Sequence, residues 1–188
     1  MTDDTGGRET EREGIRDGIV PDTKDWTWVI ERPCDECGFD PTGVDPLAVG
    51  DAVRATVPAW QGVLARPEVR RRPAPGVWSP LEYAAHVRDV FRVFDERLAL
   101  MLATDGAAFP NWDQDAAAVA GGYAQADPAV VATELADAAG AVADRFDTVR
   151  ADQLERVGQR SNGSTFTVRT FGRYFLHDVV HHLHDVRA

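Results

Sequence analysis

Apolar residues return at helical spacing in four stretches of the chain. In the first, Leu47, Val49, Val53, Val57, Trp60 and Val63 roughly follow a helical period between residues 45 and 66. Asp45 suits the N-cap and Pro46 the first helical position, where its missing N–H costs nothing. Pro58 falls inside this pattern and predicts a kink. The second stretch carries Tyr83, Val87, Val90, Phe91, Phe94, Leu98 and Met101 on one wide face. Its start is marked by Ser79, by Pro80, and by Glu82 three residues after the serine, a capping box. The third opens at Asp127-Pro128 and runs to about Ala151, with Val131, Leu135, Ala138, Val142 and Phe146 in step. The fourth covers Val168 to Val186, with Phe171, Phe175, Val179, Leu183 and Val186 as its stripe. Four such stripes can be buried only against one another, which predicts an all-α four-helix bundle.

The intervening segments read as connectors. "PEVRRRPAPGVW" is broken by prolines and a glycine. Residues 105–127 form a long connection with room for a helical turn. Asn162-Gly163 is a strong turn signal, flanked by residues that could form a small hairpin before the last helix. Ahead of the bundle, "WTWVIERPCDECGFDP" starts as a short extended piece, and Pro33, Gly38 and Pro41 then force a loop. Residues 1–24 are Gly, Asp, Glu, Arg and Thr with little to bury, the composition of a disordered tail. The expected division is a disordered acidic tail at 1–24, a cysteine-containing loop segment at 25–44, and the bundle at 45–188.

The chain has 188 residues and a net charge of −11. Phosphate binding needs a basic face, so this balance argues against a nucleic-acid partner and against an anionic membrane surface. No apolar run approaches the ~20 residues that span a bilayer. The N-terminus has no basic segment followed by an apolar one, so a cytoplasmic location is expected. Cys34 and Cys37 are too few for a disulfide scaffold.

Candidate chemistry lies in the histidines. Four of the five fall within "FLHDVVHHLHDV", residues 175–186. His177 and His181 are at i and i+4, which places two imidazoles one above the other on a helix, able to share a metal ion. Two ligands bind weakly, and His86 on the second helix is the histidine left to supply a third. Three imidazoles and water would make an open site, suited to zinc, nickel, iron or copper. The helical wheel runs against this. It puts His177, His181 and His184 opposite the apolar stripe, near Tyr174, where they would simply face solvent. His182 lies nearer the apolar edge, as a packed histidine or an alternative ligand; with Asp178 and Val186 at its i±4 positions it lacks an i, i+4 histidine partner and is left out of the ligand set. Asp89, Asp178 and Asp185 sit close enough in sequence to orient a ligand imidazole, or to be plain surface.

"GVWSPLEYAAHVRDV" at 76–90 together with "FLHDVVHHLHDV" resembles the DinB/YfiT-like superfamily of metal-binding four-helix bundles. That group carries a W-S/T-x-x-E/Q segment opening helix two, a histidine later on that helix, and H-x-x-x-H on the last helix. The resemblance covers about residues 44–187. It implies metal ligands at His86, His177 and His181, a structural role for Trp78, Ser79 and Glu82, and histidines turned into a cleft rather than outward. It also implies a divalent transition metal, with zinc ahead of nickel and iron. Some members are similar to transferases and isomerases in which a metal activates a low-molecular-weight thiol such as mycothiol or bacillithiol.

Cys34-x-x-Cys37 has several readings: half of a zinc site, a redox pair, or a compact loop with quiet thiols. A sharper one lays both thiols over the histidine cleft, within reach of the metal or of each other. The functions these features allow are a metal-dependent enzyme, a thiol-dependent transferase or hydrolase activating a thiol or water, or else a non-catalytic metal-binding or stress-response bundle, or a metal-free helical interaction module. Tyr174 is a candidate for proton transfer or substrate orientation. The expected partner is a small-molecule substrate or a low-molecular-weight thiol, and a bundle of this kind is compatible with a homodimer.

Overall fold

The structure is a computed structural model that describes residues 18–20 and 24–187. Four long helices form the bundle: α1 (Val49–Leu64), α2 (Pro80–Ala103), α4 (Pro128–Asp147) and α5 (Val168–Asp185), with a short α3 (Gln114–Ala120) in the long connection. α4 packs between α1 and α2, and α5 closes the opposite side against the same two helices. No helix among the described residues is long and apolar enough to cross a membrane.

The helix starts follow from local chemistry. Ser79 and Glu82 make the predicted reciprocal cap, and buried Glu82 also receives both the backbone N–H and the hydroxyl of Ser79, at 2.8 and 2.7 Å. Arg72 pairs with the same carboxylate. Asp127 accepts from the N–H groups of Ala129 and Val130, and Thr167 from that of Thr170. Asp45 departs from expectation. Its carboxylate accepts the Leu47 N–H at 2.9 Å in a separate turn, and α1 begins only at Val49.

Inside the bundle, Phe175 of α5 stacks on Phe94 of α2 and Phe146 of α4, at 4.8 and 5.5 Å between ring centres. The hairpin is present as β2 (Val157–Arg160) and β3 (Thr165–Thr167), turning at Asn162-Gly163. β1 (Ala107–Phe109) pairs parallel to β2, giving a three-stranded sheet of order β1-β2-β3.

Residues 24–48 lie over α5, with a 3-10 turn at Thr27–Ile30 packed directly on it. Within the predicted tail, Ile19 is buried and the Val20 N–H donates to the Gly76 carbonyl at 3.1 Å; residues 1–17 and 21–23 lie outside the described residues.

α1 and α4 approach closely at Gly50, where a Cβ would stand 2.7 Å from the Ala143 carbonyl oxygen and collide with the Asp147 carboxylate. Gly62, on the exposed side of the same helix, has open space around it. We predict that Gly50→Ala destabilises the protein by about 1–3 kcal/mol through overpacking. Gly62→Ala is expected to stabilise it by up to ~1 kcal/mol, because alanine loses less backbone entropy in a helix. Thermal and urea melts of the two variants check this. Equal shifts would mean that the close approach does not govern the α1–α4 packing.

Candidate metal centre

α5 has two different sides. Phe171, Phe175 and Val179 enter the core, and the other flank carries Tyr174, His177, Asp178, His181, His182 and Asp185. A helix of this pattern would expose its polar flank to water, as the wheel predicts. Here the segment 24–48 covers part of it. Trp26 lies 5.3 Å from the His177 ring and 4.7 Å from the His181 ring, and Phe39 meets His177 edge-on at 5.6 Å. His177 and His181 are therefore only 3% and 7% exposed. Only His184 of the three histidines is left in solvent.

The same segment delivers the cysteines. Cys34 and Cys37 are free thiols on a tight loop, held by the Gly38 N–H on the Cys34 carbonyl at 2.8 Å and the Cys34 N–H on the Phe39 carbonyl at 2.9 Å. Donor atoms of Cys34, Cys37, His177 and His181 all lie within 4.8 Å of one another. Cys34 Sγ is 3.7 Å from His181 Nδ1, and the other ring nitrogen of His181 faces Glu36 and Asp185 at 3.7 and 3.8 Å. Burial, then the neighbouring His181, holds His177 down at about 4, and burial likewise lowers His181. Both imidazoles are thus neutral near pH 7, with lone pairs free to coordinate. Burial first, and the adjacent Cys34, push the Cys37 thiol up to about 11. Two thiols and two neutral imidazoles are a soft set of four donors, of the kind that holds zinc. Nε2 of His177 is buried without a hydrogen-bond partner, as expected of an atom meant for coordination.

His86, expected as the third nitrogen of this site, stands in a neighbouring group with Asp178 and His182, whose donor atoms also lie within 4.8 Å of one another. It is 1% exposed and stacks on Trp112 at 5.4 Å, with Trp78 at 5.1 Å. Its Nε2 is 3.6 Å from Asp178 Oδ1, beyond hydrogen-bond reach. Both its ring nitrogens are buried without hydrogen-bond partners. Burial lowers its pKa, so it too is neutral. His182 behaves oppositely. Burial pushes it down, but Asp178 at 3.2 Å and Asp185 at 2.8 Å outweigh burial and raise it to about 9. His182 has no histidine four residues away. The usable signal was Asp178-x-x-x-His182, the same spacing with a carboxylate as the partner.

Both groups border one cleft of about 1030 Å³, lined by His177, His181, Asp178 and His182 together with Trp26, Trp78, Trp112, Arg97 and Arg160. The predicted pair His177–His181 is brought together; His86 lies across the cleft wall on α2 and is not grouped with them.

The sequence profile of the DinB superfamily matches residues 48–186. The chain belongs to the DinB superfamily. A solved structure described as "YfiT from Bacillus subtilis is a probable metal-dependent hydrolase with an unusual four-helix bundle topology" aligns with a TM-score of 0.62. The alignment covers 75% of this chain and 83% of that one at 19% identity, which establishes a shared fold. No curated protein matches. All five histidines lie inside the stretch matched to the DinB profile, whereas Cys34 and Cys37 lie before it. The cysteine half of the donor set is thus carried by a segment outside the DinB match.

A thiol raised from about 9 to about 11 carries roughly 100-fold less thiolate at pH 8, and thiolate is the reactive form. Alkylation of Cys37 in metal-free folded protein is therefore expected to be at least ~10-fold slower than in urea-unfolded protein, and to speed up towards pH 11. Timed iodoacetamide labelling read by mass spectrometry checks this. Equal rates at pH 8 would contradict the buried placement of the loop.

Proposed function

We propose that this DinB protein is a metal-dependent enzyme, a hydrolase or thiol-dependent transferase, acting on a small molecule held in the cleft. The metal is a divalent transition ion, zinc ahead of nickel and iron, with ligands His177, His181, Cys34 and Cys37. The observation that carries this reading is the meeting of those four donors at the edge of the cleft. Such an ion, when bound, lowers the pKa of an adjoining water or thiol and so supplies the nucleophile near neutral pH. The remaining roles fall to the chain itself. Trp26 and Trp112 keep water off the imidazoles. His182, charged between Asp178 and Asp185 and facing the cleft, is placed to give a proton to a leaving group. His86 packs beside Asp178, 3.6 Å away, and is left out of this ligand set. Hydrolysis is favoured by the description of YfiT as a probable metal-dependent hydrolase; thiol transfer is favoured by the likeness to thiol-using members of the superfamily.

A second reading rests on the same four donors. A shell filled by protein is the habit of structural sites, whereas catalytic ones keep a position open. On that reading the ion pins residues 24–48 to α5, and the protein is a non-catalytic metal-binding bundle.

Protein purified without a histidine tag is expected to contain a transition metal in proportion to chain. Cys34→Ser and His181→Ala should each weaken zinc binding by ~100-fold, since a structural zinc shell contributes roughly 3 kcal/mol per ligand. His86→Ala should retain the metal. Elemental analysis and chelator competition measure both. Wild-type zinc affinity no greater than that of a Cys34→Ser, His177→Ala double variant would end the metal reading. Turnover of small ester, amide or thiol-acceptor substrates that disappears on stripping the metal supports the enzyme. A stripped protein that only melts earlier, with no turnover lost, supports the structural role.

A further inference from the structure

Arg97 of α2 is 8% exposed, yet its only hydrogen bond among the described residues is from Nη2 to the Pro110 carbonyl at 2.8 Å. Its guanidinium rests over Phe109 and Phe94, at 5.0 and 6.0 Å. Arg160 of β2 donates to Asn162 Oδ1 and Ser164 Oγ, each at 2.9 Å, and reaches the Tyr174 hydroxyl at 3.4 Å. Neither arginine makes an ion pair with a carboxylate among the described residues. Other partly buried arginines do: Arg88 with Asp89 and Glu134, Arg145 with Asp95, Arg72 with Glu82. Acidic residues outnumber basic ones 31 to 20 in this chain, so one buried and one half-buried guanidinium held only by neutral acceptors are not for want of acids. The carboxylate influences on the pair are weak: Glu96 acts on Arg97 only after burial, Arg160 and Tyr174, and Arg160 is the last of the influences on Asp25. Burial first, and then the like charge of Arg160, bring Arg97 down to about 10. Both arginines line the cleft.

We propose that Arg97 and Arg160 form an oxyanion subsite at the Tyr174 end of the cleft, taking a carboxylate or phosphate group of the small-molecule substrate. Two forked donors and a hydroxyl suit such a group, and its charge relieves the repulsion between them. Tyr174 stands three residues before His177 on α5, so the subsite is about one helical turn, ~5 Å, along the helix from the nearest donors. The substrate is then a short anionic molecule whose reacting bond lies a few atoms from its charge.

This inference rests on the reading of the cleft as a substrate site, but binding at the arginines does not need the metal. The test is calorimetric titration of the full chain, metal-loaded and metal-stripped, with inorganic phosphate and with succinate. Saturable binding of at least one is expected in both forms, and the preferred anion tells phosphate from carboxylate. Arg160→Gln should weaken it by ~10-fold or more, as expected for loss of a charged hydrogen bond, and Arg97→Lys, which keeps the charge but not the fork, by less. Arg71→Gln, a surface change, should leave it unaltered. Circular dichroism melts confirm that each variant is folded. Absence of saturable binding, equal binding by Arg160→Gln and Arg97→Lys, or binding that vanishes with the metal but ignores both substitutions would overturn the proposal. Anion binding that survives metal stripping upholds it even where the metal reading fails.

Discussion

Everything at the candidate centre depends on one packing event, the seating of residues 24–48 on the polar flank of α5. A bundle alone would leave that flank in water, since its four apolar stripes are already satisfied by one another. Trp26, Cys34 and Phe39 instead bury His177 and His181. Removing an imidazole nitrogen from water without a hydrogen-bond partner, as at His177 Nε2, costs free energy. The arrangement lowers that cost by keeping both rings neutral, and by placing two thiols where they and the imidazoles can share a cation. The loop and the helix are thus each incomplete as donors: Cys34 and Cys37 supply two ligand atoms, α5 supplies the other two.

The charged cleft next to this seat is asymmetric. On the α5 and α2 side, Asp178 and Asp185 hold a proton on His182, and neutral His86 lies behind them. Toward the sheet, Arg97 of α2 and Arg160 of β2 line the cavity with no carboxylate ion pair among the described residues. The same cleft is lined elsewhere by Asp25, Glu36, Asp178 and Asp185, so the positive charge is local to its arginine end and not a property of the whole cavity. The three-stranded sheet, minor in size, matters here because β2 is the element that carries Arg160 into the cavity.

How much of this was legible in the sequence varied with the range of the interaction. Local signals worked well: the Ser79–Glu82 box, the Asp127-Pro128 start, the Asn162-Gly163 turn and the four apolar stripes all depend on neighbours within a few residues. Asp45 failed because an Asx turn and an N-cap use the same carboxylate, and only the backbone that follows decides between them. The orientation of His177 and His181 was beyond the wheel, because a wheel knows only its own helix and not the segment that covers it. The sharper reading of Cys34-x-x-Cys37, over the histidine cleft, agrees with the structure, but nothing local in "CDECGFD" could select it over a quiet loop. Placing His86 needed the same long-range knowledge. That α2 faces α5 could be guessed from a bundle, but which of α5's two histidine rows it faces could not.

That last point follows from helix geometry. Successive residues differ by about 100° around the axis, so the i, i+4 pair at 177 and 181 and the pair at 178 and 182 point to different neighbours. One row meets the N-terminal segment and the other meets α2, which is why a single two-turn stretch feeds two separate donor groups. Their division is set by how α5 is rotated, and that rotation is fixed in the core. Phe175 is stacked between Phe94 and Phe146, and Phe171 lies 4.7 Å from Phe94. Turning α5 would break these ring contacts and open voids in a close-packed core. The phenylalanines on one side of α5 therefore determine which histidines on the other side can reach the cysteines, and the apolar core and the candidate metal centre are two faces of the same constraint.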